Sequence, residues 1–216
     1  MKANPVHKIK KEGAYKMIKN IVFDIGNVLT YYTWEKHLRS FGFSEEIYER
    51  VVKATVKNPA WNEFDRGVLS DEEVTALLIE NDPGVKKEIR MMMENVSGLV
   101  TKADYAIPWL RELKDKGLYV WYLSNFSYKA RRECRDALDF IPYMDGGILS
   151  CEEKLVKPQP EIYRRLMEKY GLQAQECVFL DDMPVNVQAA KAEGMQGIVF
   201  TTKEAAVREL AGLGVK

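Results

Sequence analysis

Two short apolar runs, each ending in a carboxylate, constrain this chain more than any other feature. They are Ile21-Val22-Phe23-Asp24 near the start and Cys177-Val178-Phe179-Leu180-Asp181-Asp182 far downstream. Runs of this kind fit strands buried on both faces of a parallel sheet, and open α/β sheets place their chemistry just beyond the carboxyl ends of their strands. Side by side, the two strands would bring Asp24, Asp181 and Asp182 into one crevice. So much negative charge in one place calls for a metal ion.

The rest of the chain fits such a sheet. From Asp104 onward, helical and strand patterns alternate: a helix over 105–116 stopped by Gly117, the strand Leu118 to Leu123 ending at Ser124-Asn125, a helix over 128–138, and a strand around Gly147 to Ser150. A helix over 160–170 follows, with Ile162, Leu166 and Tyr170 on one face and Gly171 at its C-terminal cap; the Asp181-Asp182 strand, a helix to Gly194, the strand Gly197 to Phe200 and a last helix complete the chain. Strand-helix-strand repetition calls for a parallel sheet with right-handed crossovers. Residues 34–102 read instead as a small helical insert. There Leu38, Phe41, Ile47, Val51 and Val52 recur near one helical face, broken at Gly42 and Ser44. Ser70 to Glu73 has the form of a capping box, Pro83-Gly84 ends that helix, and Val85 to Val96 forms the next.

Composition narrows the function classes. Thirty-two basic residues balance thirty-two acidic ones, so no overall field draws in nucleic acid or an anionic membrane. No apolar segment is long enough to span a bilayer, and residues 1–16 read as a basic, loose extension without the apolar stretch of a signal peptide. Met17 is a second candidate start. Cys134, Cys151 and Cys177 show no paired spacing, which fits a reducing cytoplasm, and His7 and His37 alone cannot build a histidine zinc site.

Taken singly, Asp24, Ser124-Asn125, Lys157 and Asp181-Asp182 each have an ordinary reading as cap, turn or solvated charge. In this order and at these strand tips they resemble the haloacid dehalogenase-like (HAD) superfamily of phosphohydrolases. Phe-Asp-Ile-Gly-Asn-Val-Leu at 23–29 resembles its first motif and Leu-Ser-Asn at 123–125 its second. Lys157-Pro158 with Pro160, Ile162 and Tyr163 resembles the third, and Phe-Leu-Asp-Asp at 179–182 with Asn186, Ala189-Ala190 and Gly194 the fourth. Phe64 to Ser70 is similar to the cap turn of the subgroup containing alpha-glucose-1-phosphate phosphatase.

The resemblance implies a Rossmann-like parallel sheet over 17–33 and 103–216, flanked by helices, with a helical cap over 34–102. It implies a Mg²⁺-dependent phosphatase of a small phosphorylated metabolite, a sugar phosphate among the candidates. Asp24 would be the nucleophile and carry an aspartyl-phosphate, since an ordinary Asp is ionised at neutral pH. Ser124, Asn125 and Lys157 would hold the phosphoryl group; Asp24, the Gly26 carbonyl and Asp182 would hold Mg²⁺, with Asp181 behind them or bound through water. Trp61, Phe64 and Arg66 are candidate substrate contacts from the cap, and Tyr31, Tyr32 and Trp34 lie where a flap would lead into it. Asn27 suits a turn with positive φ, and Asn186 either braces the acidic loop or simply lies in the first turn of its helix.

Gly26 departs from the commonest family pattern, which places a second Asp two residues after the nucleophile as general acid and base. General acid-base catalysis is worth about 10² to 10⁴-fold. Its loss leaves three readings. A phosphatase whose leaving groups need little protonation, such as sugar 1-phosphates, acyl or aryl phosphates, comes first. A phosphometabolite- or partner-binding protein without turnover is the alternative. A 2-haloacid dehalogenase comes last, because the paired Asp181 and Asp182 would repel a carboxylate substrate.

Overall fold

A computed structural model describes residues 17–215, so the extension expected over 1–16 lies outside the described residues. Five parallel strands form the central sheet: β1 (Asn20–Phe23), β4 (Tyr119–Ser124), β5 (Gly146–Leu149), β6 (Cys177–Asp181) and β7 (Gln196–Val199), in the order β5-β4-β1-β6-β7. Thus β1 lies at the centre, between β4 and β6. In register, Phe23 pairs with Tyr122 and Leu180. Asp24 therefore leaves the sheet one step beyond the pair, level with Asp181 on one side and with Leu123, the residue before Ser124, on the other. The juxtaposition expected from the two carboxylate-tipped runs is a consequence of strand order.

Side chains alternate across β1 as a strand requires. Ile21 and Phe23 join Val120, Val178, Leu180 and Ile198 on one face, covered by Trp109 and Leu113 from the helix Ala106–Asp115 and by Leu210 from the helix Lys203–Gly212. Phe23 meets Trp109 edge-on, their ring centroids 5.0 Å apart. Val22, Trp121, Leu123 and Phe179 point the other way, against Ile162, Tyr163 and Leu166 of the helix Pro160–Tyr170. Full burial of each such side chain is worth about 1.5–3 kcal/mol, so both faces hold the sheet rigid beneath its loops.

Between β1 and β4 lie two short strands that the sequence reading omits, β2 (Thr30–Tyr32) and β3 (Val100–Lys102), paired antiparallel. They bracket the helical segment. Helices Trp34–Ser40 and Glu45–Ala54 are separated at Gly42 and Ser44 as expected, and Ser44 caps the second by accepting from the Ile47 amide. The helix Asp71–Asn81 begins with the anticipated capping box, Ser70 and Glu73 satisfying each other's backbone. The next helix is shorter than expected, Lys86–Glu94, and buries Ile89, Met92 and Met93. Phe64 to Arg66 belongs to a short helix, Trp61–Arg66, closed by Gly67 at φ 66°, where a turn alone was expected. The apolar core beneath one sheet face runs without a break into this segment through Val28, Leu29, Leu38, Val51 and Leu78.

Two further differences are local. The helix expected over 128–138 stops at Glu133 and tightens into a 3₁₀ turn over Arg135–Leu138. The strands β4, β5 and β7 are each displaced by one residue from the expected bounds. Among the described residues, no helix is long and apolar enough to cross a membrane. Cys134, Cys151 and Cys177 are free and buried. His37 is buried too, its Nε2 2.8 Å from the Asn95 carbonyl oxygen, a packing role.

Candidate active site

At the carboxyl ends of β1, β4 and β6, the side chains of Asp24, Ser124, Lys157 and Asp181 are all buried. Carboxylate oxygens of Asp24, Asp181 and Asp182 lie within 4.8 Å of one another. One cation sits among them. Lys157 Nζ is 2.7 Å from Asp24 Oδ1 and 2.6 Å from Asp181 Oδ2. Burial works against the Lys157 charge, but the two carboxylates outweigh it and hold the ammonium above its usual range.

Asp181 and Asp24 are satisfied to different degrees. Asp181 takes the Lys157 ammonium, the Met183 backbone N–H at 2.8 Å and the Asn186 amide, which reaches both its oxygens at 3.0 Å. Asn186, in the helix Pro184–Ala192, is held in turn by Tyr163, whose hydroxyl donates to the Asn186 carbonyl. Both readings of Asn186 therefore hold: it lies in its helix's first turn and braces the acidic loop. Asp24 Oδ1, by contrast, is buried with no aligned hydrogen bond, despite its ion-pair contact with Lys157. Burial, reinforced by Asp181 and only partly offset by Lys157 and Ser124, raises the Asp24 carboxyl to about 6. Asp182 is also raised, mainly by burial. Three converging carboxylates with one lysine between two of them, and an Asp24 oxygen buried without an aligned hydrogen bond, form a donor set suited to a hard divalent cation. Magnesium fits this site.

The loop after β1 explains how Asp24 and Asp182 are kept in register. Asn27 adopts φ 56°, a conformation that Asn tolerates better than most residues. Its side chain also works across the site, donating to Asp182 Oδ2 at 2.9 Å and accepting from the Tyr32 backbone N–H at 3.0 Å. Asn27 thus ties the β6 loop to β2. Gly26 is not in the left-handed region, and a Cβ placed there would meet only Tyr32 Cβ, at an ordinary 4.0 Å. Packing does not demand glycine at this position.

The Ser124-Asn125 and Lys157 loops are fastened together. Asn125 Nδ2 donates to the Lys157 carbonyl at 3.0 Å, and Asn125 Oδ1 accepts from the Lys157 backbone N–H at 2.7 Å. The Asn125 side chain is therefore occupied in aiming Lys157. Ser124 faces Asp24 and helps keep its charge.

These groups floor a cavity of about 560 Å³ whose walls include Tyr32, Trp34, Val56, Trp61, Phe64, Leu99 and Phe126. Of the expected cap contacts, Trp61 and Phe64 line it. Arg66 does not: it pairs with Glu63 and donates to Gln159 Oε1 at 3.2 Å. Tyr32 and Trp34 line the cavity, while Tyr31 stands half-exposed against Tyr105. Sequence reasoning missed the walls Val56, Leu99 and Phe126, and Lys57 and Asp65 beside them.

It also missed what holds the helix Trp61–Arg66 against the sheet. Ser150 Oγ donates to the Asp65 carbonyl at 2.5 Å and accepts from the Phe126 backbone N–H at 2.8 Å. Lys154, itself at φ 61°, donates to the Gly67 carbonyl. A Cβ on Gly67 would come within 2.8 Å of Cys151 Cβ. Only a glycine permits this approach.

The profile of the haloacid dehalogenase-like hydrolases matches residues 18–194, taking in every strand and loop of this site. The chain belongs to that family. Among HAD-family relatives, the sesquiterpene phosphatase astK of Aspergillus oryzae is 26% identical over 195 residues, covering 90% of this chain and 96% of that protein. The HAD-family enzyme bt-2542 of Bacteroides thetaiotaomicron, solved in complex with magnesium and inorganic phosphate, superposes with a TM-score of 0.65 at 22% identity, over 86% of this chain and 96% of that one. The L-2-haloacid dehalogenase of Xanthobacter autotrophicus gives a TM-score of 0.61 at 19% identity, over 91% and 83% of the two chains. The structural likenesses establish a common fold. This chain is a HAD-like hydrolase with a five-stranded parallel sheet.

Proposed function

We propose that this HAD-like hydrolase is a Mg²⁺-dependent phosphatase of small organic phosphate monoesters that works through a phosphoryl group carried transiently on Asp24. The observation carrying the proposal is the Asp24 carboxylate. It is buried at the tip of the central strand, lacks an aligned donor at Oδ1, and faces a cavity large enough for a small metabolite. Asp24, Asp182 and the Gly26 carbonyl would hold the metal, with Asp181 fixing the lysine behind them. Bound there, Mg²⁺ supplies the positive charge that lets an anionic nucleophile and an anionic phosphate share one site.

The chain's own groups do the rest. Asp24 attacks phosphorus; Lys157 presents a fixed charge to Asp24 and the phosphoryl oxygens, and Ser124 offers a hydroxyl from the neighbouring strand tip. The helical segment between β2 and β3 acts as the cap, with these two short strands as the linkers joining it to the core. The aromatic and aliphatic walls favour an apolar or aromatic ester group over a polyhydroxylated sugar. The sesquiterpene phosphatase relative acts, by its name, on substrates of that kind.

The test is phosphate release from a panel of prenyl, aryl, sugar and nucleotide phosphates, with Mg²⁺ and with chelator. The proposal expects Mg²⁺-dependent turnover, fastest on apolar esters. Phosphate or beryllofluoride binding without turnover of any ester would instead make the protein a phosphometabolite-binding module.

A further inference from the structure

Loss of a carboxylate at position 26 leaves a phosphatase reading without its usual proton donor, and the cavity contains another candidate. Among the described residues, Asp24, Asp65 and Asp182 are the carboxylates lining it. Asp24 and Asp182 stand on the sheet side in the proposed metal set, whereas Asp65 reaches the cavity from the helix Trp61–Arg66. Among the described residues the Asp65 carboxylate has no hydrogen-bond or ion-pair partner.

Its backbone, in contrast, is fastened. The Asp65 carbonyl accepts from Ser150, the Gly67 carbonyl from Lys154, and the Arg66 side chain reaches Gln159. Three successive residues are thus tied to the loops that carry Asn125 and Lys157, holding the Asp65 side chain at the cavity. Tyr32 connects this carboxylate with the vacant place at position 26. Its Cβ is the nearest group to the Cβ that Gly26 lacks, and its phenol feels the charge of Asp65.

Resting on the phosphatase reading above, we infer that Asp65 is the general acid and base of this enzyme, supplied from the cap in place of a side chain at Gly26. In the first step an Asp24 oxygen bonds to phosphorus and the bond to the ester oxygen breaks. That oxygen keeps the electron pair and takes the Asp65 proton, leaving an alcohol, an aspartyl-phosphate and an Asp65 carboxylate. In the second step a water oxygen bonds to phosphorus and gives one proton to Asp65. The bond from phosphorus to the Asp24 oxygen then breaks, restoring the Asp24 carboxylate and releasing hydrogen phosphate. Burial, with Asp24 adding to it and Lys157 opposing, pushes the Asp65 carboxyl to about 7, where both forms are available near neutral pH.

The acid's signature is its dependence on the leaving group, which a structural residue would not show. Asp65→Asn is compared with wild type on an alkyl phosphate and on p-nitrophenyl phosphate, with Asp24→Asn as the control. The expectation is a kcat loss of about 100-fold or more on the alkyl ester and under about 10-fold on the aryl ester. Adding Gly26→Asp to Asp65→Asn should recover at least about 10-fold on the alkyl ester alone, since position 26 has room for the side chain. Equal losses on both esters, or an unchanged alkyl rate, would overturn the role of Asp65 while leaving the phosphatase reading intact. Turnover that survived in Asp24→Asn would overturn the phosphatase reading itself, and this inference with it.

Discussion

Lys157 and Asp24 are held 2.7 Å apart in near-complete burial, and the same ammonium lies 2.6 Å from Asp181. One cation therefore serves two buried acids, and the remaining negative charge of the site faces the cavity. A buried pair broken from one side leaves an uncompensated charge, typically a loss of about 3–5 kcal/mol.

Lys157→Met should accordingly lower stability by that order at pH 8. Without the ammonium the Asp24 carboxyl, already raised by burial, moves further up, so the deficit should shrink on acidification as it protonates. Urea unfolding at pH 5 and pH 8 reads the difference. Phosphatase activity should fall at least about 100-fold, because the lysine also faces the transferring group.

Asp24→Asn should stabilise the metal-free protein. The Asp24 carboxyl is raised from an ordinary 3.8 to about 6, so folding favours its neutral form. That contribution is fully present below pH 4 and lost as pH rises through 6. In chelator, the variant should gain on wild type across that window, by up to about 3 kcal/mol at pH 8. Saturating Mg²⁺ should narrow the gap by stabilising wild type. Thermal melts at pH 4.5 and pH 8, with and without metal, check both statements.

Asn27 separates backbone from side-chain roles. Asn27→Gly keeps access to φ 56° but removes the link from Asp182 to the Tyr32 backbone. Asn27→Ala loses both, and the left-handed conformation costs it about 1–2 kcal/mol more. Both variants should need several-fold more Mg²⁺ for half-maximal activity, while only Ala should lower the melting temperature appreciably. A magnesium titration beside a melt distinguishes the two.

Gly67→Ala should loosen the docked helix. The added Cβ would approach Cys151 Cβ to 2.8 Å at a residue with φ 66°. Trp61, Phe64 and Asp65 sit on that helix, so the expected result is a raised KM for apolar esters and a melting temperature lower by several degrees. Steady-state kinetics on an aryl phosphate reads the first effect.

The sheet was legible because β1 and β6 are apolar runs with carboxylates at their tips, and Ser124 and Lys157 follow at corresponding loops. Ser70 and Glu73 announced a helix start through local chemistry alone. The three-residue strands β2 and β3 were not legible: such segments carry too little alternation to register, and they exist because they pair with each other. Arg66 looked like an anion contact by charge, but its partner Gln159 lies 93 residues away and only the tertiary fold supplies it. Asp65 and Ser150 escaped for the same reason. An Asp near the end of a short helix and a Ser after a strand are ordinary residues until the chain brings Ser150 Oγ against the Asp65 carbonyl.

The central claim is that Asp24 attacks phosphorus with Mg²⁺ bound beside it, and one measurement addresses it directly: phosphate release from an aryl phosphate by wild type and by Asp24→Asn, each with Mg²⁺ and with chelator. The account predicts turnover only for wild type with metal, at least about 10³-fold above the other three conditions. Undiminished release by Asp24→Asn, or equal rates with and without Mg²⁺, would contradict it.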